Sequence, residues 1–404
     1  MRRVRLDKWS FIAGVTCHKL LLNSPAGGWF PALRKLTWRI TASDLPYANL
    51  FFSQGLEEVS IFVPWLLGNS SAPPDVLSAV ASAISSLPTS TLQSLVITLS
   101  PNEGPWPYFK DSISSLVLRC GSSLTEFTSP VPLSDAAVDH LIRLPHLRTW
   151  RIGGPPPSYS ASPSPLEFPP LTKLTLGGGA VREWLSLFRH LERSVSGTQG
   201  MTPLSKVKGS LESLNIEQFP DPIVDPPFAS TIQTFRNLVN LGVAVKCYVE
   251  SREAQCAFKL NNNGVAELAT VLSRLEHLNL GQPCSENTCS TTVACLLRIS
   301  AFCVKLRKLE IHFNTTNIVD DFKNLSGDPR FQELRSLPRC PLTHLGVWKT
   351  PLTLDDPDFE TVANGMVDIF PSLQSCSGAE GVWRKLNLRI AGLRAIRIFP
   401  TCHQ

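Results

Sequence analysis

One spacing returns along this chain at intervals: an aliphatic residue, two others, a second apolar residue, one other, and a third apolar residue. Leu275-Leu278-Leu280 shows it, and so do Leu33-Leu36-Trp38, Leu56-Val59-Ile61, Leu92-Leu95-Ile97, Leu147-Trp150-Ile152, Leu171-Leu174-Leu176, Leu211-Leu214-Ile216, Leu238-Leu241-Val243, Leu306-Leu309-Ile311 and Leu342-Leu345-Val347. Poorer copies start at Leu124, with Phe127, and at Leu373, with Cys376; Leu393-Ile396-Ile398 reads as a final one. From Leu33 to Leu373 is 340 residues in eleven intervals of 23 to 40, a mean of about 31. Such a recurrence restricts the chain to architectures in which similar units stack in a row and each touches its neighbours.

The content of a unit follows from a change of rhythm. In "VAELATVLSRLEHLNL", Val265, Leu268, Leu272 and Leu275 keep the spacing of a helix face, and then Leu278 and Leu280 fall two apart, as on a strand. Elsewhere Ser134 stands as a cap before Val138, Leu141 and Ile142, and Phe359, Val362, Met366 and Ile369 repeat the helical spacing. Each unit is therefore expected to run helix, strand, turn. The strand buries its second and third apolar positions under the helix, while alternate residues such as His277 and Asn279 face the other way. The expected fold is α/β: a solenoid with a parallel sheet on its inner, concave face and helices on its outer, convex face. It would occupy residues 25–404 in about twelve to thirteen irregular units, after an N-terminal segment 1–24. Three stretches lengthen units as loops: "GGPPPSYSASPSPLEFPP" at 153–170, rich in Pro and Ser and a candidate soft hinge, "FPDPIVDPPF" from Phe219, and "KCYVESREAQCAFKLNNNG" from Lys246.

Composition narrows the function. With 38 basic and 33 acidic residues the net charge is only +5, and no run of basic residues marks a dedicated nucleic-acid binder. No apolar run approaches the roughly 18 residues of a membrane span; "NLVNLGVAV" from Asn237 comes nearest. Eleven cysteines, scattered and odd in number, read as reduced thiols of a cytoplasmic or nuclear protein, which makes the sequons at Asn69, Asn314 and Asn324 chance matches.

Three groups of residues are of the types that catalysis, metal binding or phosphate binding would use. Cys284, Cys289, Cys295 and Cys303 lack the paired two-residue spacing of a zinc site, and Cys295 and Cys303 read as packing residues of a helix. "LGGGAVREWL" lacks the further glycine or the lysine-hydroxyl end of a phosphate loop, so Gly177 opens a turn. His277, His312 and His344 belong to different units and have no nucleophile or paired carboxylates beside them. No cofactor, metal or catalytic set is expected.

The spacing and the helix-before-strand units resemble leucine-rich repeats of the long, ribonuclease-inhibitor-like kind. The phrases "LRKLTWRITASDLPYANLFFSQGLEEVSIFV" and "AAVDHLIRLPHLRTWRI" resemble fungal F-box proteins of basidiomycete type that carry such repeats. The usual Asn or Cys three residues after the last apolar position occurs in one copy alone, at Asn314, so irregular turns are expected. Only 32 residues precede Leu33 and none makes the Leu-Pro opening of an F-box, so the adaptor-binding half is expected to be missing from this chain. A ligase adaptor would then bind only through an F-box encoded upstream. The resemblance implies the substrate-recognition part of an F-box-type ubiquitin-ligase subunit that holds an unidentified target protein on the sheet; the alternative is a free-standing repeat scaffold.

A repeat array offers many side chains to one large partner. Its inner positions carry Lys35, Arg39, Arg151, Lys173 and Lys308 against Glu58, Glu126, Glu217 and Glu310, five minus four, or +1. Phe62, His277, Asn279, His312, His344 and Trp348 stand among them. Trp348 is the candidate anchor, because an indole next to small residues such as Gly346 can bury much area in a partner.

Overall fold

The computed structural model describes residues 3–5, 30–40, 45–63, 74–99, 106–153, 169–177, 210–218, 232, 235–245, 261–281, 291–327, 329–347, 352, 354–378 and 381–398. They fall into two compact units, residues 1–178 with 190–207 and residues 179–189 with 208–404.

The first unit is a parallel sheet in chain order: β1 (Arg3–Arg5), β2 (Lys35–Arg39), β3 (Glu58–Val63), β4 (Ser94–Leu99), β5 (Glu126–Ser129), β6 (Thr149–Ile152) and β7 (Lys173–Gly177). Between the strands, among the described residues, come a 3-10 helix, Leu45–Phe51, and three α-helices: α1 (Pro74–Ser85), α2 (Trp106–Arg119) and α3 (Asp135–Ile142). The 3-10 turn occupies one of the shortest intervals, where 23 residues separate Leu33 from Leu56. Each helix packs against the next, which is how the apolar stripes of α1, α2 and α3 are covered. β1 is a strand that the repeat spacing does not announce.

The second unit repeats the plan with β8 (Ser213–Gln218), β9 (Asn240–Val245), β10 (His277–Asn279), β11 (Lys308–Glu310), β12 (His344–Gly346) and β13 (Ser375–Ser377), again parallel and in chain order. Its helices are α4 (Asn262–Val271), α5 (Val293–Phe302), α6 (Ile318–Gly327), α7 (Pro329–Ser336), α8 (Asp356–Ile369) and α9 (Gly381–Ile398). The final repeat read at Leu393-Ile396-Ile398 is not a strand but lies inside α9. Trp383, Leu386, Ile390 and Leu393 follow one another by 3, 4 and 3 residues, and this helical period prevails over the strand-like pair at its end.

The core of each unit is built by the repeat positions. Leu33, Leu56, Leu92, Leu124, Leu147 and Leu171 in the first unit, and Leu211, Leu238, Leu275, Leu306, Leu342 and Leu373 in the second, are completely buried. Burial of each is worth about 1.5–3 kcal/mol, and a lone repeat has no opposite wall to supply it. Trp38 and Trp150 enter the same layer with a cost: the indole N–H of each is buried without a hydrogen-bond acceptor among the described residues.

A backbone motif ties neighbours together. At the start of β3 to β7 and of β9 to β13, two successive N–H groups donate to one carbonyl of the preceding repeat. Glu57 and Glu58 donate to Arg34, Gln93 and Ser94 to Glu57, Thr125 and Glu126 to Gln93, and Arg148 and Thr149 to Thr125. In the second unit Arg307 and Lys308 donate to Glu276, Thr343 and His344 to Arg307, and Gln374 and Ser375 to Thr343. In the first unit hydroxyls add a second rung: Ser53 donates to the Leu33 carbonyl at 2.8 Å, Thr91 to Leu56 at 2.8 Å and Ser123 to Leu92 at 2.9 Å.

Candidate binding face of the sheet

Strand alternation decides which residues can meet a partner. β2 alternates exposed and buried from Lys35 to Arg39, and β3 alternates half-buried and buried from Glu58 to Val63. The parallel registers then arrange the outward residues in rows. In the first unit one row is Lys35, Glu58, Ser94, Glu126, Thr149 and Lys173, and a second is Thr37, Ser60, Val96, Thr128, Arg151 and Thr175. Arg39 and Phe62 begin a third.

Side chains directly across from one another settle the charge of these rows. Lys35 pairs with Glu58, and the Ser94 hydroxyl donates to Glu126 Oε2 at 2.7 Å. The Arg39 guanidinium lies 5.6 Å from the centre of the Phe62 ring, so a cation and an aromatic face form one half-open feature. Arg151 and Lys173 are exposed on β6 and β7.

In the second unit one row reads Ser213, Asn240, His277, Lys308, His344, Ser375, and the next reads Asn215, Gly242, Asn279, Glu310, Gly346, Ser377. Glu310 is the centre of a small network: Lys308 Nζ lies 2.5 Å from Oε1 and the Asn279 amide donates to Oε2 at 2.7 Å. Asn279 is itself aimed, because its Oδ1 accepts the Gly281 N–H at 3.1 Å and Gly281 holds φ at 113°, a conformation open chiefly to glycine. Gly346 leaves room for the acid, since a Cβ there would stand 3.0 Å from Glu310 Cγ. His344 is clasped between hydroxyls, Nδ1 at 2.8 Å from Ser375 Oγ and Nε2 at 3.3 Å from Ser377 Oγ. Burial lowers the His344 pKa, the Lys308 charge lowers it further and Glu310 works against both. Burial lowers that of His312 as well. His277 is exposed at the centre of its row.

The structure therefore brings Asn279, Lys308 and Glu310 into contact, and Arg39 with Phe62, while His277 and His344 flank Lys308 on adjacent strands. Trp348 lies outside the described residues. The serines that hold His344 were not legible as site residues; only their place in the row beside it, at Ser375 and Ser377, marks them.

The described thiols do not offer a nucleophile. Cys120, Cys303 and Cys376 are pushed by burial to about 12, and Cys340 to about 11. Among the described residues no group of three or more His, Cys, Asp or Glu could hold a metal ion, and no helix is long and apolar enough to cross a membrane.

Strands in parallel register, a buried leucine opening every repeat and helices between them define an irregular leucine-rich-repeat fold. No family model matches the chain, and no curated protein matches it. Among solved structures it is similar to a chain in the crystal structure of the Rad7 and Elc1 complex in yeast, at 14% identity and a TM-score of 0.39, covering 81% of this chain and 72% of that one. At that level of likeness the fold rests on the strand registers described above.

Proposed function

We propose that this chain is a protein-interaction module that holds a target protein on the outward face of its sheet, as the substrate-recognition part of an F-box-type ubiquitin ligase. One observation carries the binding part of this reading. Carboxylates on the face are engaged by neighbours, Glu58 by Lys35, Glu126 by Ser94 and Glu310 by Lys308 and Asn279, so the face is a fixed mosaic of both signs with an aromatic–cation feature at Arg39 and Phe62. A mosaic of this kind suits a folded protein surface, whereas phosphates ask for a continuous basic track. The ligase part comes from the resemblance of the repeat phrases to fungal F-box proteins. An adaptor would join through an F-box, and the target would meet the sheet in either case.

The test uses a photo-cross-linking residue placed in the full chain at Thr128 or Lys308 on the sheet face, or at Lys323 on a helix. Expected is a target captured from a sheet position and not from the helix position, with capture at Thr128 reduced at least tenfold by Arg39→Glu combined with Phe62→Ala. Equal capture from the helix position would sink the reading. Translation of the sequence encoded upstream of Met1 then separates the two roles: a Leu-Pro-opened helical segment there supports the ligase receptor, and its absence supports the scaffold.

A further inference from the structure

We propose that the outward face of α9 is a docking site for an acidic amphipathic segment of another protein. The inward face of α9 packs on the second unit. Trp383, Leu386 and Ile390 are buried, and the Asn387 side chain accepts the N–H of Cys376 at 3.0 Å, which satisfies a donor of the last strand, β13. A helix packed by one face needs only a polar, mixed outer surface. This one has another character. Arg384, Lys385 and Arg389 are exposed around Leu388, which at 69% is the most exposed large apolar side chain among the described residues, ahead of Leu118 at 45%.

The helix geometry places Arg384 and Lys385 four and three residues before Leu388, and Ala391 and Gly392 three and four after it, so all four border it on the surface. Residues 381–398 hold five basic residues and no acidic one, and among the described residues only Arg389 has an ion-pair partner, Glu360. Lys385 and Arg389 are like charges at i and i+4, a pairing that weakens a helix; the contact with Glu360 accounts for Arg389, and no such contact among the described residues accounts for Arg384 and Lys385. An apolar centre with a rim of one sign is the anatomy of a protein interface, and its complement is an apolar side chain flanked by carboxylates. Single-stranded nucleic acid would need stacking aromatics, and the described outer face of α9 presents none. This surface shares no residue with the sheet face.

The test measures fluorescence anisotropy with the full chain and 20-residue amphipathic peptides that carry a Leu or Phe stripe flanked by Glu, their Lys-flanked counterparts, a 20-nucleotide RNA, and vesicles of phosphatidylcholine with phosphatidylserine. Expected is binding of the Glu-flanked peptides at least tenfold tighter than the Lys-flanked set. Leu388→Ser should weaken it at least fivefold, and Arg384→Glu with Lys385→Glu at least tenfold, at unchanged melting temperature. If the double reversal disturbs folding, Arg384→Gln with Lys385→Gln replaces it and should still weaken binding several-fold. Absence of peptide binding, or RNA or vesicle binding of equal strength that ignores Leu388→Ser, overturns the proposal.

Discussion

At the scale of the residue, the sheet face shows how a side chain is prepared by others. Glu310 lies flat because Gly346 gives it room, and it is held by Lys308 and by an asparagine that Gly281 aims. Two histidines, His312 and His344, respond to pH in a defined direction. His312 has its pKa lowered by burial from an ordinary value near 6.5, so the unfolded chain takes up the proton first as pH falls. Its contribution is complete above about pH 6.5 and is lost toward the lowered folded value. Thermal melts should therefore show a lower midpoint at pH 5.5 than at pH 7.5, and His312→Gln should flatten that difference; an unchanged difference would remove His312 as a contributor. The outward positions were legible in the sequence, because period two fixes which residues leave the core. The network among them was not, since contact between Asn279 and Glu310 depends on the register of neighbouring strands and on one positive φ.

At the scale of the element, start signals spoke clearly where a side chain caps a helix. Ser134 precedes α3, is extended, and accepts the Ala137 N–H at 3.3 Å. Ser134→Ala should cost about 1 kcal/mol, measurable by urea unfolding. The end of the chain was harder. Leu393-Ile396-Ile398 imitates the repeat, but a long helical stripe precedes it and the helix continues through. β1 had the opposite problem: three residues carry too little pattern to announce a strand, and its partner β2 supplies the hydrogen bonds. Asn387 gives a sharper prediction. Replacing it with Ala leaves the Cys376 N–H of β13 without that acceptor and should cost about 1 kcal/mol. It should also speed hydrogen exchange at Cys376 more than at Leu345 on the preceding strand; equal changes at both would argue against a local capping role.

At the scale of the whole molecule, a repeat near 31 residues was enough to foresee a parallel sheet with helices, because no single repeat can cover its own apolar side. The Pro-rich and polar insertions expected at 153–170, from Phe219 and from Lys246 lie largely outside the described residues, and the end of the third, Asn262 to Gly264, is the start of α4. What the spacing could not disclose is the pair of N–H groups sharing one carbonyl at each step, since backbone bonds leave no trace in side-chain identity. Buried cysteines offer a probe of opening in each unit: Cys120 in the first, and Cys295, Cys303, Cys340 and Cys376 in the second. Iodoacetamide should label these five roughly a hundredfold more slowly in the native protein than in urea, as read by peptide mapping. Rapid native labelling of Cys303 or Cys376 would mean that the unit opens far more often than its packing implies.

The shared carbonyls have one more implication. Each such step presents the same acceptor to the coil after it and the same two donors to the coil before it, so a coil duplicated among them would find both its neighbours already compatible. Within each unit, length is a quantity that inheritance can adjust by copying, with no other joint redesigned.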